Sequence, residues 1–215
     1  MLTVTTPHGP ARVRIDDGAD TGERTDDAPR LALVLGHGAG GGIESADLRA
    51  AADAGVALGC IVARVQQPYR VAGRRSPPPA RQLDAAWLTV VGELAAGPLS
   101  GYRLVVGGRS SGARVACRTA ALAQAVGVLC LAFPLLPPAA RRGDLTKSRL
   151  GELEAVPTSI PMLVVQGDRD PFGMPPPGAG RSVIAIGGTH ALSSTAAVRA
   201  AVSPWLRTLV GTVAG

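Results

Sequence analysis

Aromatic residues make up only 3% of this 215-residue chain, and just one of its 22 basic residues, Lys147, is a lysine. The net charge of +6 comes from arginines spread along the whole sequence, with doublets such as Arg74-Arg75 but no long basic stripe. Nucleic-acid surfaces need clustered basic residues or exposed rings on which bases stack. We therefore expect no nucleic-acid partner.

Long apolar runs are also missing, because charged or turn-forming residues interrupt every hydrophobic segment. This excludes a membrane-spanning helix and a membrane partner. The N-terminus has no basic region followed by an apolar core, so no secretory signal is predicted. Cys60, Cys117 and Cys130 lack the paired spacing of metal ligands or disulfides. They indicate small core residues in a reducing compartment and predict a cytoplasmic protein.

A hydrophobic content of 46% with 18% charged residues is typical of a globular chain. Residues 1–30 are polar and predict a lead-in of one strand, near 11–15, and a loop near 16–29. Residues 31–215 predict a single domain, in which short apolar strands alternate with amphipathic helices. The predicted strands span 31–35, 60–65, 102–106, 128–132, 162–165 and 183–186, and the predicted helices span 46–58, 81–96, 111–125, 146–155 and 194–210.

Continuously apolar strands separated by helices are typical of a parallel sheet that is covered on both faces. The fold class predicted is therefore α/β, with a mostly parallel sheet of about six or more strands. The segment between the strands at 128–132 and 162–165 has only 29 residues, from 133 to 161. Most of it is needed for the connecting helix, so we expect no lid domain and an open site.

Gly108-Arg109-Ser110-Ser111-Gly112 follows the apolar run 104–106 and predicts a nucleophile elbow, a sharp turn that exposes a serine between a strand and a helix. Strand and helix pass closely there, so the positions two before and two after the nucleophile must be small. Glycine occupies both positions around Ser110. Ser111 is excluded as the nucleophile because its own flanking positions hold Arg109 and Ala113.

Two further polar loops follow predicted strands, Gln166-Gly167-Asp168-Arg169-Asp170 and Gly187-Gly188-Thr189-His190. Serine, aspartate and histidine in this order match the chain order of α/β-hydrolases. His190 is the only well-placed base among three histidines, since the other two lie in the polar leader and in a glycine turn. The order alone leaves both Asp168 and Asp170 as the acid, and the other aspartate would shape the turn.

Gly36-His37-Gly38-Ala39-Gly40-Gly41 formally matches the dinucleotide fingerprint G-x-G-x-x-G. That fingerprint also requires an acidic residue at the end of the next strand. Here that strand offers only Arg64, as a ligand for the 2′-phosphate of NADP. We favour the alternative that the loop forms half of an oxyanion hole through the backbone N–H of Ala39. The N–H of Ser111, the residue after the nucleophile, would supply the other half.

These motifs occur in series with Gln67-Pro68-Tyr69, with Phe133-Pro134-Leu135 and with Pro171-Phe172-Gly173 after Asp170. Together they resemble the small α/β-hydrolases of the dienelactone-hydrolase-like group, which has bacterial members and a eukaryotic testis-expressed relative. The resemblance covers roughly residues 31–210. It implies a lidless α/β-hydrolase fold with a serine nucleophile, and its G-x-x-D turn selects Asp170 as the acid. True dienelactone hydrolases carry a cysteine where this chain has Ser110.

The resulting hypothesis is a serine hydrolase acting on a small acyl compound, with a carboxylic ester favoured and no metal or cofactor. Ser110 would attack the carbonyl, His190 would transfer the proton and Asp170 would orient the imidazole. Tyr69, Arg109 and Phe172 are candidate substrate contacts, with loop packing as their alternative role. A non-catalytic binding or scaffold module on the same fold is the alternative function, since a fold does not guarantee activity. An NADP-binding Rossmann protein is the less favoured one.

Overall fold

The structure is a computed structural model that describes residues 1–17, 30–137 and 145–211. Most of the loop predicted near 16–29 lies outside the described residues. Within them, eight strands form one sheet. The strands are β1 (Leu2–Thr6), β2 (Gly9–Asp16), β3 (Leu31–Gly36), β4 (Ile61–Gln66), β5 (Arg103–Arg109), β6 (Gly127–Leu131), β7 (Met162–Gly167) and β8 (Arg181–Ile186).

Six α-helices accompany these strands in the described ranges. They are α1 (Ala46–Val56), α2 (Pro68–Val71), α3 (Ala80–Ala96), α4 (Ser111–Thr119), α5 (Leu150–Glu154) and α6 (Thr195–Val210). The helix predicted over 111–125 ends earlier, at Thr119, and hydrogen-bonded turns follow it. The helix predicted over 146–155 is instead a 3₁₀ helix, Leu145–Lys147, followed by the short α5.

The strand order is β1-β2-β4-β3-β5-β6-β7-β8. The six strands from β4 to β8 in this order run parallel, as the apolar pattern predicted. The lead-in adds two strands and not one, because β1 and β2 form an antiparallel hairpin whose second strand pairs with β4. Residues of this hairpin, among them Val4 and Val13, belong to the same core as the parallel strands.

The core lies in two layers, one on each face of the sheet. Successive side chains of a strand point to opposite faces, and Val105 and Val106 of β5 accordingly belong to different layers. Helices α3 and α4 cover one face, and α1 and α6 cover the other. This arrangement brings the carboxyl ends of the parallel strands to one edge, where the loops that follow β3, β5, β7 and β8 meet.

No lid domain is present in the described part of the connection between β6 and β7, which holds only the 3₁₀ helix and α5. Among the helices of the described ranges, none is both long and apolar enough to cross a membrane. Cys60, Cys117 and Cys130 are all buried, and none of them forms a disulfide.

Candidate active site

Ser110 lies between β5 and α4 with φ 52° and ψ −109°, a left-handed conformation that is strained for a residue with a side chain. Two backbone hydrogen bonds hold it there. The N–H of Ser110 donates to the carbonyl of Leu131 at 2.9 Å, and its own carbonyl accepts from the N–H of Arg114 at 3.2 Å. The strand and helix thus fix the serine at the tip of the turn.

Close backbone packing explains the two glycines of the elbow. A Cβ atom added to Gly108 or to Gly112 would overlap the carbonyl oxygen of Gly36, the last residue of β3. The start of α4 therefore rests directly on the end of a neighbouring strand. Only glycine allows this approach, as the sequence pattern predicted.

One continuous hydrogen-bonded chain joins the three candidate catalytic residues. His190 Nε2 lies 2.9 Å from Ser110 Oγ, and His190 Nδ1 lies 2.8 Å from Asp170 Oδ2. The Asp170 side chain is completely buried, whereas that of His190 keeps 18% of its surface exposed. A serine, a base and an orienting acid in this geometry can activate the hydroxyl as a nucleophile.

The structure places Asp170, and not Asp168, beside the imidazole. Asp168 lies at the surface, where its Oδ1 accepts the N–H of Gly188 at 2.8 Å. Asp170 is held by two donors besides His190, the N–H of Phe172 to Oδ1 at 2.9 Å and the amide Nε2 of Gln166 to Oδ2 at 2.8 Å. The two aspartates thus separate into one that faces the base and one that shapes the turn.

Gln166 is a residue of the site that the sequence analysis did not single out. It is fully buried at the end of β7, and its amide nitrogen also lies within hydrogen-bond distance of the Phe133 and Gly173 carbonyls, at 3.1 and 2.9 Å. It therefore ties the acid to the loops that follow β6 and β7. The sequence feature that could have identified Gln166 is its position as a polar residue near the end of an otherwise apolar strand.

The loop after β3 passes beside Ser110. A Cβ added to Gly38 would lie 3.5 Å from Ser110 Cβ. Ala39 lines a cavity together with Ser110 and Ser111. Neither the N–H of Ala39 nor that of Ser111 donates a hydrogen bond to another described residue, and Ser111 is the first residue of α4, where a helix leaves its N–H groups unpaired. Both groups are thus available to a ligand oxygen.

His37 fixes the orientation of this loop. Its Nδ1 lies 2.8 Å from the Gly38 carbonyl, and its Nε2 accepts the N–H of Gln67 at 3.1 Å. Burial lowers the pKa of His37, so the neutral ring, protonated on Nδ1, satisfies both contacts. Because C=O and N–H of a trans peptide point in opposite directions, anchoring the Gly38 carbonyl directs the N–H of Ala39 away from His37.

Tyr69 also stabilises the loop that follows β3. Its buried hydroxyl donates to the carbonyl of Ala39 at 2.9 Å, and burial raises the pKa of Tyr69 to about 12. Tyr69 does not line the cavity at Ser110. Its contact with Ala39 is one of loop packing, which was the alternative to substrate contact.

The cavity that Ser110 lines has a volume of about 400 Å³. Loop, elbow and connection residues line it: Ala39, Gly40, Pro77, Arg109, Ser110, Ser111, Arg114, Pro134, Arg149, Phe172 and His190. Phe172 packs edge-on against the imidazole of His190, with ring centroids 4.5 Å apart. Of the three candidate substrate contacts, Phe172 and Arg109 thus lie at the cavity.

Arg109 is already bound to other parts of the protein. Its Nε donates to Oδ2 of the buried Asp47 in α1 at 2.6 Å, and its Nη2 donates to the main-chain carbonyl of His190 at 3.2 Å. The Asp47 carboxylate compensates the charge of the guanidinium. Arg109 therefore connects the nucleophile elbow to the loop of the base.

Arg64, the possible ligand of an NADP phosphate, is also occupied. It is buried, and it binds the carboxylates of Asp16 and Glu44 and the carbonyl of Ile43. It therefore has no free charge to offer a 2′-phosphate. This arrangement, with the glycine loop beside Ser110, favours an oxyanion hole over a dinucleotide site.

A mostly parallel sheet with a serine at the turn after its fifth strand and an acid and a base on later loops is the α/β-hydrolase fold. Residues 29–180 match the model of the α/β hydrolase domain family, and the chain belongs to that family. A search of curated protein sequences found no significant match.

Solved structures share this fold over nearly their full length. XC6422 from Xanthomonas campestris, described as an α/β serine hydrolase without lid, is 21% identical with a TM-score of 0.75, and the match covers 99% of this chain and 95% of that one. Est1E from Butyrivibrio proteoclasticus, solved with bound ferulic acid, is 16% identical with a TM-score of 0.73 and coverages of 99% and 100%. A serine hydrolase homologue from Coxiella burnetii is 16% identical, with a TM-score of 0.72 and coverages of 95% and 96%.

Proposed function

We propose that this protein is a serine hydrolase that cleaves a carboxylic ester through an acyl-enzyme on Ser110. The observation that carries the proposal is the hydrogen-bonded chain from Ser110 Oγ through His190 to the buried Asp170, with distances of 2.9 and 2.8 Å. Neither contact involves an adjacent residue in sequence, so three separate loops must converge to make it.

In the proposed reaction, Ser110 Oγ attacks the ester carbonyl carbon while His190 Nε2 takes the hydroxyl proton. The bond to the alkoxy group then breaks, and His190 returns that proton to the leaving oxygen. A water molecule attacks the acyl-enzyme, again with His190 as base, and releases the acid and free Ser110. Asp170 accepts the hydrogen bond of Nδ1–H and stabilises the imidazolium formed in each step.

The oxyanion of each tetrahedral intermediate would accept the N–H groups of Ala39 and Ser111. Removing one such donor typically lowers the rate by about 10²- to 10³-fold, because the donor stabilises the negative charge that develops in the transition state. The N-terminus of α4 adds a partial positive charge at the same place. His37 and Tyr69 contribute by holding the loop that carries the Ala39 N–H.

The size and openness of the cavity support a small or water-soluble ester as substrate. Its volume of about 400 Å³ suits a compact acyl group, and the described connection between β6 and β7 has no lid that would cover a long lipid chain. The bound ferulic acid of Est1E shows that a similar fold holds a small aromatic acid. We also propose that the protein is cytoplasmic and that it belongs to the dienelactone-hydrolase-like group.

Covalent labelling with a fluorophosphonate probe tests the nucleophile. Wild type should be labelled, Ser110→Ala should not, and Ser111→Ala, which keeps its backbone N–H, should still react. A panel of p-nitrophenyl esters from acetate to palmitate should show activity on the short esters that Ser110→Ala lacks. A folded wild type that neither reacts with the probe nor cleaves any ester would support the non-catalytic scaffold instead.

A further inference from the structure

A cluster of charged residues from α3, α4 and the start of α5 lies beside the cavity at Ser110. Arg114 binds Glu152 through both Nε and Nη2, at 2.9 and 2.5 Å. Arg118 binds Asp84 in the same way, at 2.8 and 2.6 Å, and also contacts Glu152 at 3.2 Å. In each pair, one edge of a guanidinium holds both oxygens of a carboxylate, the strong bidentate arrangement.

Arg149 is the third cation of this cluster, and it has no carboxylate of its own among the described residues. Its Nη1 donates to the Pro134 carbonyl at 3.1 Å. Its Nε and Nη2, which form the edge that Arg114 and Arg118 use to bind acids, have no hydrogen-bond partner in the described ranges. Among the described residues of this cluster, three guanidinium groups thus share two carboxylates, and one positive charge is left over.

This unbalanced charge lies in the cavity of the proposed active site, because Arg149 and Arg114 line it together with Ser110 and His190. Partial burial and the neighbouring Arg114 and Arg118 lower the pKa of Arg149 because they disfavour its cationic form, and Glu152 offsets only part of this effect. An anion in the cavity would relieve that cost. Arg109, the other arginine at the cavity, is already compensated by Asp47 and does not need one.

We propose that the free edge of Arg149 is an anion subsite and that the substrate is an ester carrying a carboxylate remote from its scissile bond. The inference rests on the proposed hydrolase function and adds its substrate class. A planar carboxylate fits the paired Nε–H and Nη2–H donors of a guanidinium. With the scissile carbonyl at Ser110 and its far end at Arg149, such a substrate would be held at two points, which favours productive orientation.

A pair of esters of equal acyl length tests this subsite. Mono-p-nitrophenyl glutarate carries a carboxylate at the far end of its five-carbon acyl chain, and p-nitrophenyl valerate carries a methyl group there. Rates measured with Ser110→Ala are subtracted, because the glutarate carboxylate can also attack its own ester. The readout is the ratio of kcat/KM for glutarate to kcat/KM for valerate.

We expect wild type to prefer the glutarate ester, and Arg149→Gln to lower the ratio by about 10- to 100-fold, the usual effect of losing a charge-assisted hydrogen-bonding pair. Arg149→Lys keeps the charge without the planar fork and should give an intermediate ratio. Lys147→Gln is the matched control, since it removes an exposed cation two residues away, and it should leave the ratio unchanged. An equal ratio in Arg149→Gln and wild type would overturn the subsite.

The test separates this inference from the proposed function. Hydrolysis of valerate without any preference for glutarate would refute the subsite and leave the hydrolase standing. If no ester is cleaved and no probe reacts, the hydrolase proposal fails, and the subsite is decided by the binding of free glutarate. A rise in Tm with glutarate that Arg149→Gln abolishes would support it, and no rise in wild type would refute it.

Discussion

Arg109 Nη2 donates a hydrogen bond to the main-chain carbonyl of His190 at 3.2 Å, which links the residue before Ser110, the proposed nucleophile, to the proposed base. The same guanidinium is anchored on the buried Asp47 of α1. The elbow, the base loop and a helix on the other side of the sheet are therefore joined through one side chain. This contact gives Arg109 a positioning role without requiring that it touch a substrate.

Removing the Arg109 side chain should destabilise the fold. In Arg109→Ala, the Asp47 carboxylate, only 1% exposed, loses its counter-ion, and breaking a buried pair typically costs about 3–5 kcal/mol. Urea denaturation measures this loss. The control is Arg199→Ala, since Arg199 pairs with Asp53 of the same helix α1 at the surface, with exposures of 47% and 58%, where pairs contribute about 0–1 kcal/mol. Equal losses in the two variants would contradict the role assigned to the Arg109–Asp47 pair.

Asp170→Asn should leave the fold intact and lower kcat/KM on a short ester by about 10⁴-fold, because an amide favours the wrong imidazole tautomer. Asp168→Asn should cost little, since the Asn oxygen can still accept the N–H of Gly188 that Asp168 binds. Both variants are assayed on one ester, and melting temperatures exclude unfolding. A dead Asp168→Asn beside a nearly normal Asp170→Asn would reverse the assignment.

The glycines of the elbow provide a prediction for stability. Gly112→Ala would push a Cβ into the Gly36 carbonyl, and overpacking of this kind costs about 1–3 kcal/mol. Gly92→Ala is the matched control, because its added Cβ meets nothing within 4 Å and it lies inside α3, where alanine is favoured by about 0.5–1 kcal/mol. Thermal unfolding should therefore shift in opposite directions for the two variants. A harmless Gly112→Ala would show that the elbow tolerates a wider turn.

The features that could be predicted from the sequence are those that a local pattern of residues indicates. Ser110 and His190 each follow an apolar strand, and glycines lie two residues before and after the serine, so both positions could be predicted without knowing the fold. The same pattern left Asp168 and Asp170 both open as the acid, and only the G-x-x-D turn of the resembled family selected Asp170. The partners of these residues were not predictable in the same way. Gln166 on Asp170 and Asp47 on Arg109 are contacts made through tertiary packing, and no short-range periodicity records them.

The less regular elements of secondary structure could not be predicted from local patterns either. Helix α2 has only four residues, too few to show a helical period. The chain after α4 turns instead of continuing the predicted helix, and Gln124 there has a positive φ of 50°, which no helix accommodates. Strand β1 is short and half exposed, so its residue pattern did not predict a strand. The strand became evident only from its pairing with β2.

Acidification should destabilise the protein through His37. Burial lowers the pKa of His37 in the folded state from its ordinary value of 6.5, so in the unfolded chain the same imidazole binds a proton at higher pH. The unfolded state then holds more protons below about pH 6.5, and stability falls as pH decreases through this range. His37 makes its full contribution to stability above about pH 6.5. This contribution falls as the pH decreases from 6.5 to the folded-state pKa, and it does not change further below that pKa.

Free energies of unfolding measured in urea between pH 7.5 and 5 check this prediction. One proton taken up on unfolding gives a slope of about 1.4 kcal/mol per pH unit. His37→Gln should lose this part of the slope, because glutamine does not titrate. His8→Gln, at an exposed turn of the β1–β2 hairpin, should keep it. If wild type and His37→Gln show the same slope, protonation of His37 is not coupled to unfolding, and burial does not lower the pKa of His37 in the folded state.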